Sequence, residues 1–407
     1  MLQLFEEIEW FLNVHCSEVL SKNNVKFYRV YKNHHQGDYK CIIRNNMKSL
    51  DTTLELFDKC LMDIRPLWKN YLKFLITDGK VCVFFNRTLC FLHGLKNVID
   101  LGELYGSNNL YPKIFMVNVD TTSKLNSLTN LRAKTVADIL QKLLSSCGGT
   151  IVQNIDNESL NARPNYNIII SQNNHKNTND DSIIFIQVGS VLNIADGQTI
   201  TTDEYFKLRT EEIDSMCDYK LEINNVTTNR EDLVKTTVVF DLVQSNIHKT
   251  MSLNLYSENP DIKTSCKGAL FVMYNYVRLV ALLEKFDYLV SCKKYSPLPS
   301  MDEIDFSLLS EDREWALMFD YILYWPTVIK QSLENFKDGK PKIHNICKFL
   351  MGLSSYFSVY YHHTRILTDS RPHLMSLIYA RIYFLKAIAQ VYKNALNLLQ
   401  LRPLIKM

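Results

Sequence analysis

The spacing of apolar residues divides the chain into three textures. Residues 2–21 carry Leu4, Ile8, Phe11, Leu12 and Val19 at helical intervals, which predicts an opening helix. Two short runs of strand character follow at 26–31 and 40–43, separated by the turn signal Gln36-Gly37-Asp38. Residues 53–74 return to helical spacing, and 80–85 read as a buried strand. Together these predict a small α+β domain over residues 1–108, ending near Tyr105-Gly106-Ser107.

The second texture begins after Pro112 with an apolar run of strand character at 113–119. A helix is predicted over 127–145 and closed by Cys147-Gly148-Gly149, because glycine readily takes the left-handed conformation past a helix end. Residues 150–154 supply the next strand. Strand, crossover helix and strand within about forty residues make a βαβ unit, hence a parallel sheet. Residues 154–181 are crowded with Asn, Asp and Ser around the apolar 167–170, and 182–188 give another strand. The expected domain, residues 109–231, is α/β.

From 232 to 407 the period becomes helical, with few glycines. Helices are predicted at 268–286, 312–323 and 343–364. On a last one, Ile378, Ile382, Leu385, Ile388, Tyr392, Ala395 and Leu399 recur every three or four residues. Ser296-Pro297-Leu298-Pro299 and Trp325-Pro326 punctuate between them. An all-α bundle is the expectation for this part.

Composition narrows the class without choosing a function. At 46% hydrophobic and 22% charged residues the chain reads as folded, not globally disordered. Its formal net charge is +3, so any attraction to nucleic acid must come from local clustering. Ten scattered cysteines without a CxxC pair read as buried thiols of a reducing compartment. Glu6, Glu7 and Glu9 give the start the wrong charge for a targeting peptide. No uninterrupted apolar run reaches the ~18 residues of a membrane span. The expectation is a soluble, cytoplasmic protein with no membrane contact.

Four stretches, residues 238–244 with 251–255, 267–278, 357–367 and 381–399, in that order resemble the anticodon-binding domain of class I arginyl-tRNA synthetases, the DALR domain. Residues 238–244 with 251–255 look like the strand-turn passage that leads into it. Residues 267–278, with Tyr274 and Arg278, resemble its helix with a Tyr-x-x-x-Arg core. Residues 357–367 are similar to its Phe-Tyr-x-x-x-Arg-Val-Leu helix end, and 381–399 to its closing helix. The fold implied is α+β and multidomain: a small N-terminal α+β unit, a degenerate synthetase-like Rossmann-type α/β domain, and a C-terminal all-α DALR bundle over 232–407. Residues 307–315, 346–350 and 371–374 are shared with a non-synthetase branch of the family. That resemblance implies a recognition partner of a tRNA 3-methylcytidine methyltransferase, directed at arginine tRNAs.

The middle domain departs from the enzymes where their chemistry lies. A His-x-Gly-His-Leu-Arg signature opens the family's first crossover helix, and here Ser127, Leu128, Thr129, Asn130, Leu131 and Arg132 stand in its place. Imidazoles at that helix N-terminus would stabilise charge on the ATP α-phosphate, and Ser127, Thr129 and Asn130 supply none. The second signature, a Lys-x-Ser-Lys loop, should fall within 188–209. Residues 195–201 hold no lysine there, and Lys207 and Arg209 lie beyond it. The catalytic role therefore reads as lost, with no cofactor and no metal site expected.

Candidate RNA contacts come from the last part. Residues 370–407 contain Arg371, Arg381, Lys386, Lys393, Arg402 and Lys406 and no acid, a one-signed run suited to phosphates. Each also reads as part of a solvated helix face, and Arg381 holds the place of a packing arginine. Tyr360, Tyr361, His362, His363 and Arg365 combine rings with a guanidinium, which suits stacking on unpaired bases. Tyr360 and Arg365 read equally as bundle anchors. Arg278 suits an RNA contact or a buried ion pair. A weaker basic group, Lys26, Arg29, Lys32, His34, His35, Lys40 and Arg44, reads as a second RNA contact or an exposed polar hairpin. The resulting expectation is a non-catalytic adaptor. A divergent arginyl-tRNA synthetase and a helical protein-interaction scaffold remain open beside it.

Overall fold

A computed structural model of the chain describes residues 25–31, 34–43, 54–55, 59, 70–77, 80–120, 126–152, 164–173, 180–218, 227–253 and 265–403. The opening helix expected at 2–21 lies outside these residues, as do Lys32, Arg44 and Lys406. Two compact units emerge, neither contiguous in sequence. The first takes in residues 1–102, 283–325 and 356–390, and the second 103–282, 326–355 and 391–407.

In the first unit, β1 (Val25–Arg29), β2 (Tyr39–Ile43), β3 (Leu72–Thr77) and β4 (Lys80–Phe85) form an antiparallel sheet in the order β1-β2-β4-β3. The expected turn at Gly37 is present. Its φ of +108° is open to glycine, and an added Cβ would lie 2.8 Å from Cys82 Cβ. The helix expected to run to residue 74 is not what residues 72–74 form: they belong to β3, where Leu72 and Phe74 alternate with exposed neighbours. Period two wins there because the segment pairs along its whole length with β4. Helix α1 (Arg87–Leu101), unforeseen in the sequence, is capped by Asn86, whose side chain accepts the Leu89 N–H.

The second unit centres on a parallel sheet. Strands β5 (Ile114–Val119), β6 (Thr150–Val152), β7 (Tyr166–Ser171) and β8 (Ile183–Gln187) order as β6-β5-β7-β8. The crossover from β5 to β6 is α2 (Leu128–Ser146), which ends at Cys147 with Gly148 at φ +86°, as its sequence predicts. A short parallel pair joins β9 (Val191–Asn193) to β10 (Met251–Leu253). Between them run α3 (Thr202–Asp218) and α4 (Thr227–Val243).

Helix α4 corrects an expectation, because residues 238–243 are helical rather than the start of a strand-turn passage. The β-branched run Thr236-Thr237-Val238-Val239 favours a strand by propensity. Here the Thr236 and Thr237 hydroxyls donate back to Asp232 O at 2.6 Å and Leu233 O at 3.0 Å, and Val238, Phe240 and Leu242 are buried. Tertiary burial outweighs propensity.

The remaining helices are α5 (Ser265–Ser291), α6 (Asp312–Leu317), α7 (Trp325–Ser332), α8 (His344–His363) and α9 (Pro372–Leu398). A π-helical turn, Met318–Ile322, follows α6. Trp325-Pro326 opens α7 instead of separating helices, since proline fits a first turn, where no intrahelical N–H bond is lost. By length and composition helix α9 is long and apolar enough to cross a membrane, although Arg381 and Lys386 interrupt its apolar run. Its most apolar window is 61% buried inside the protein, the burial of a core helix.

Candidate functional site: the signature helix and the basic helical surface

Helix α2 follows β5 in the chain, the place where a parallel sheet presents a helix N-terminus to a ligand. Ser127 caps it in extended conformation (φ −109°, ψ 143°), its Oγ accepting the Asn130 N–H at 3.2 Å. The Leu128 N–H donates to Ile200 O at 2.9 Å, and Ser127 bridges to Thr201. Residues 200–202 thus lie across this helix end. Thr129 is buried, and its Oγ1 accepts the Val191 N–H at 2.9 Å. Asn130 Oδ1 accepts from Gln172 Nε2 at 2.6 Å.

Arg132 is fully buried. Its guanidinium donates to Leu242 O at 2.9 Å, Gly189 O at 2.8 Å, Lys249 O at 2.9 Å and Asn246 O at 3.2 Å. Burial lowers it to about 10, and four carbonyls rather than a carboxylate hold its charge. Thr129 and Arg132 thus tie α2 to β9 and to the α4–β10 connection, Asn130 ties it to Gln172 just past β7, and Ser127 caps it. Gly189 makes that approach possible, since a Cβ there would lie 2.3 Å from the Lys249 backbone.

The segment expected to hold the second signature forms β9, a turn at 194–196 and the start of α3. Lys207 is exposed. Arg209 is buried: it pairs with Asp241 at 2.9 Å and Glu212 at 2.5 Å and donates to Tyr205 Oη. Tyr205 in turn donates to Asp241 at 2.7 Å. This cluster fixes α3 to α4.

Among the candidate RNA contacts, two leave the surface. Tyr360 is fully buried and donates to Glu314 Oε1 at 3.0 Å. Arg381 pairs with Glu314 at 2.9 Å and Glu311 at 2.5 Å, while Thr364 donates to Glu311 at 2.9 Å. The anchoring reading of Tyr360 and Arg381 is the one the structure supports. Tyr361 is half-buried, and His362, His363 and Arg365 are exposed around the C-terminal end of α8.

Lys386 and Lys393 are exposed two turns apart on one face of α9, with Lys386 Nζ 6.0 Å from the Tyr383 ring centre. Arg371 is exposed but stands 3.9 Å from Asp369, an acid just ahead of the acid-free run. Arg402 is exposed, and Arg278 is half-buried over the Tyr274 ring at 5.1 Å. Tyr361, His362, His363, Arg365, Arg371 and Lys386 belong to the first unit, and Arg278, Lys393 and Arg402 to the second.

Neither reading of the N-terminal basic hairpin survives for its central residues. His34 is buried, with Nδ1 3.0 Å from Asp38 and Nε2 3.0 Å from Asp320. Burial acts to lower it, but the hydrogen bonds and charges of Asp320 and Asp38 prevail and hold it at about 9. Asp38 also accepts from Phe85 N–H at 2.8 Å and Trp315 Nε1 at 2.7 Å. Arg29 lies over the Phe319 and Tyr324 rings at 4.1 and 4.3 Å and donates to Phe319 O. These residues lock the hairpin onto α6 and the π-turn. Histidines at 34 and 35 carry no local sign of which one turns inward.

The whole chain has the fold of the arginyl-tRNA synthetases, and residues 272–407 match the family model of the DALR anticodon binding domain. It superposes on the synthetase of Thermus thermophilus with a TM-score of 0.64 at 11% identity, over 99% of this chain and 100% of that one. For the Plasmodium falciparum enzyme the TM-score is 0.65 at 10% identity, over 99% of each. In sequence it is similar to DALR anticodon-binding domain-containing protein 3. The zebrafish protein (Danio rerio) is 28% identical over 51% of this chain and 39% of its own length, and the mouse one (Mus musculus) 30% over 51% and 40%. Arginine–tRNA ligase of Borreliella burgdorferi is 27% identical over 44% of this chain and 27% of the ligase. The matched stretches thus span about two fifths of the DALR-domain relatives.

Proposed function

We propose that this chain is a cytoplasmic, non-catalytic tRNA-binding adaptor. It recognises arginine tRNAs through the DALR domain and presents them to a tRNA 3-methylcytidine methyltransferase for modification of the anticodon loop. The observation that carries this reading is the employment of Thr129, Asn130 and Arg132 in holding α2 to its surroundings. A helix end bridged by residues 200–202 offers an ATP phosphate no open N–H row. Exposed rings and cations at 361–365 and along α9 supply the complementary half, groups that stack on bases and meet phosphates. The methyltransferase and the arginine specificity rest on the resemblance to the non-synthetase branch, and the division into 1–108, 109–231 and 232–407 belongs to the same proposal.

The test is capture of RNA on the purified chain, with and without a 3-methylcytidine methyltransferase, followed by sequencing of what is retained. Enrichment of arginine tRNAs is expected. Retention of no tRNA in either sample would overturn the reading. Arginine-dependent ATP–pyrophosphate exchange by the pure chain would replace it with a divergent synthetase.

A further inference from the structure

Several surface cations of this protein, exposed or half-buried, sit beside carboxylates: Arg87 with Asp312, Lys96 with Asp302, Arg230 with Asp214 and Lys342 with Glu334. One face of the second unit departs from that habit. Lys134 and Lys142 are exposed on α2, eight residues and so about 12 Å apart along the helix. Asp138, the single acid of that helix, lies midway and is half-buried. Lys235 is exposed on α4, which packs against α2, and its charge reaches the Asp138 carboxyl together with that of Lys134.

The C-terminal segment closes the patch from another side. Gln400 Nε2 donates to Asp138 O at 3.0 Å. That hydrogen bond seats exposed Arg402 two residues further on and exposed Lys393 two turns before, in a stretch from 391 to 403 without an acid. Glu231 and Asp232, a turn before Lys235 on α4, bound the patch there. Among the described residues, none of the five cations makes an ion pair. Five cations around one carboxylate exceed the net charge of +3 carried by the entire chain.

We infer that this face binds the sugar-phosphate backbone of an RNA, extending the RNA-binding surface from the C-terminal segment onto the α/β sheet's crossover helix. The chemistry of the patch selects that occupant. No large exposed apolar side chain occurs on α2, on α4 or in 391–403 among the described residues, so the face lacks the groups that insert into a bilayer or form the core of a protein interface. What it offers is ammonium and guanidinium groups outside ion pairs, which meet phosphates without reading sequence. The inference rests on the proposed tRNA binding, and its test separates the two.

Unfractionated tRNA is titrated at several salt concentrations against the full chain, its Lys134→Glu/Lys142→Glu/Lys235→Glu variant and the milder Lys134→Gln/Lys142→Gln/Lys235→Gln variant. Circular dichroism checks folding. The charge-reversed variant is expected to bind at least ten-fold more weakly. The salt slope of log affinity should fall by about 0.7–0.9 for each phosphate that the variant no longer neutralises. The neutralised variant should show the same slope change with a smaller drop in affinity, which keeps the test decisive if charge reversal unfolds the unit. A parent that binds tRNA beside variants with unchanged affinity and slope overturns this inference alone. A parent that binds no tRNA overturns it together with the proposed function, and so does a parent that binds anionic vesicles instead.

Discussion

Arg132 carries a charge into an interior that offers no carboxylate, and its planar fork is what makes this tolerable. Three nitrogens reach four carbonyls on two stretches of chain, Gly189 and residues 242–249, a geometry that a lysine ammonium cannot copy from a single atom. Replacing it leaves buried acceptors without donors. Arg132→Lys is expected to lower stability by about 1–3 kcal/mol for each buried acceptor left without a donor, measured by urea unfolding. An unchanged midpoint would mean that the carbonyls find water and that the residue is not structural. His34 makes a second residue-scale prediction with a definite sign. Its folded value of about 9 lies above the ordinary 6.5, so protonation stabilises the fold. That contribution is fully present below about pH 6.5 and fades as pH rises through about 9, on the order of 3 kcal/mol in all. The first unit's melting temperature should fall across that window, and His34→Gln should flatten the fall. A parallel decline in both proteins would assign it elsewhere.

Among the elements, what could be read beforehand depended on whether the deciding interaction was local. Helix α2 was legible at both ends, because a serine cap and a glycine stop act within a turn of the residues that encode them. Strands β5, β7 and β8 were legible as apolar runs, and α9 through its 3.6-residue period. Helix α4 was misread because Thr236-Thr237-Val238-Val239 carries strand propensity, and only packing in the second unit reverses it. The candidate surface was legible as a list of cations but not as a site. Arg381 was set apart only by resemblance, and Tyr360 read no differently from exposed Arg365, until Glu314 of α6 and its cap residue Glu311 show what they anchor. Lys134, Lys142 and Lys235 gave no signal, each being a lone cation on an ordinary helix. The local devices yield a test of their own. Ser127→Ala removes the acceptor of the Asn130 N–H and should cost about 1 kcal/mol. Since the Ser127 side chain caps rather than reacts, tRNA affinity should be unchanged in the same variant. A large drop in affinity with little change in stability would return Ser127 to a ligand site.

At the scale of the whole molecule, the chain has the fold of the arginyl-tRNA synthetases at 10–11% identity, and its helix α2 is fastened internally through Thr129 and Arg132. A fold of this kind places a helix N-terminus at the sheet's edge for reasons of topology, whatever the chemistry. Ligands therefore discriminate between an inherited shape and a working site, because a ligand that binds only the folded state stabilises it by mass action. At a hundred-fold excess over its dissociation constant the gain is about 2.7 kcal/mol, which for units of this size raises a melting temperature by about 5–10 °C. Transfer RNA is expected to raise the midpoint of the purified chain by that amount at low salt and to lose the effect as salt screens the phosphates. ATP and arginine, alone or together, are expected to leave it where it is, since the Leu128, Asn130 and Leu131 N–H groups at the start of α2 already have protein partners. The opposite pattern, a shift with ATP and arginine and none with tRNA, would mean that residues 200–202 open to admit a nucleotide. Recognition would then be subordinate to a surviving reaction, and the role proposed for the DALR domain would have to be given up.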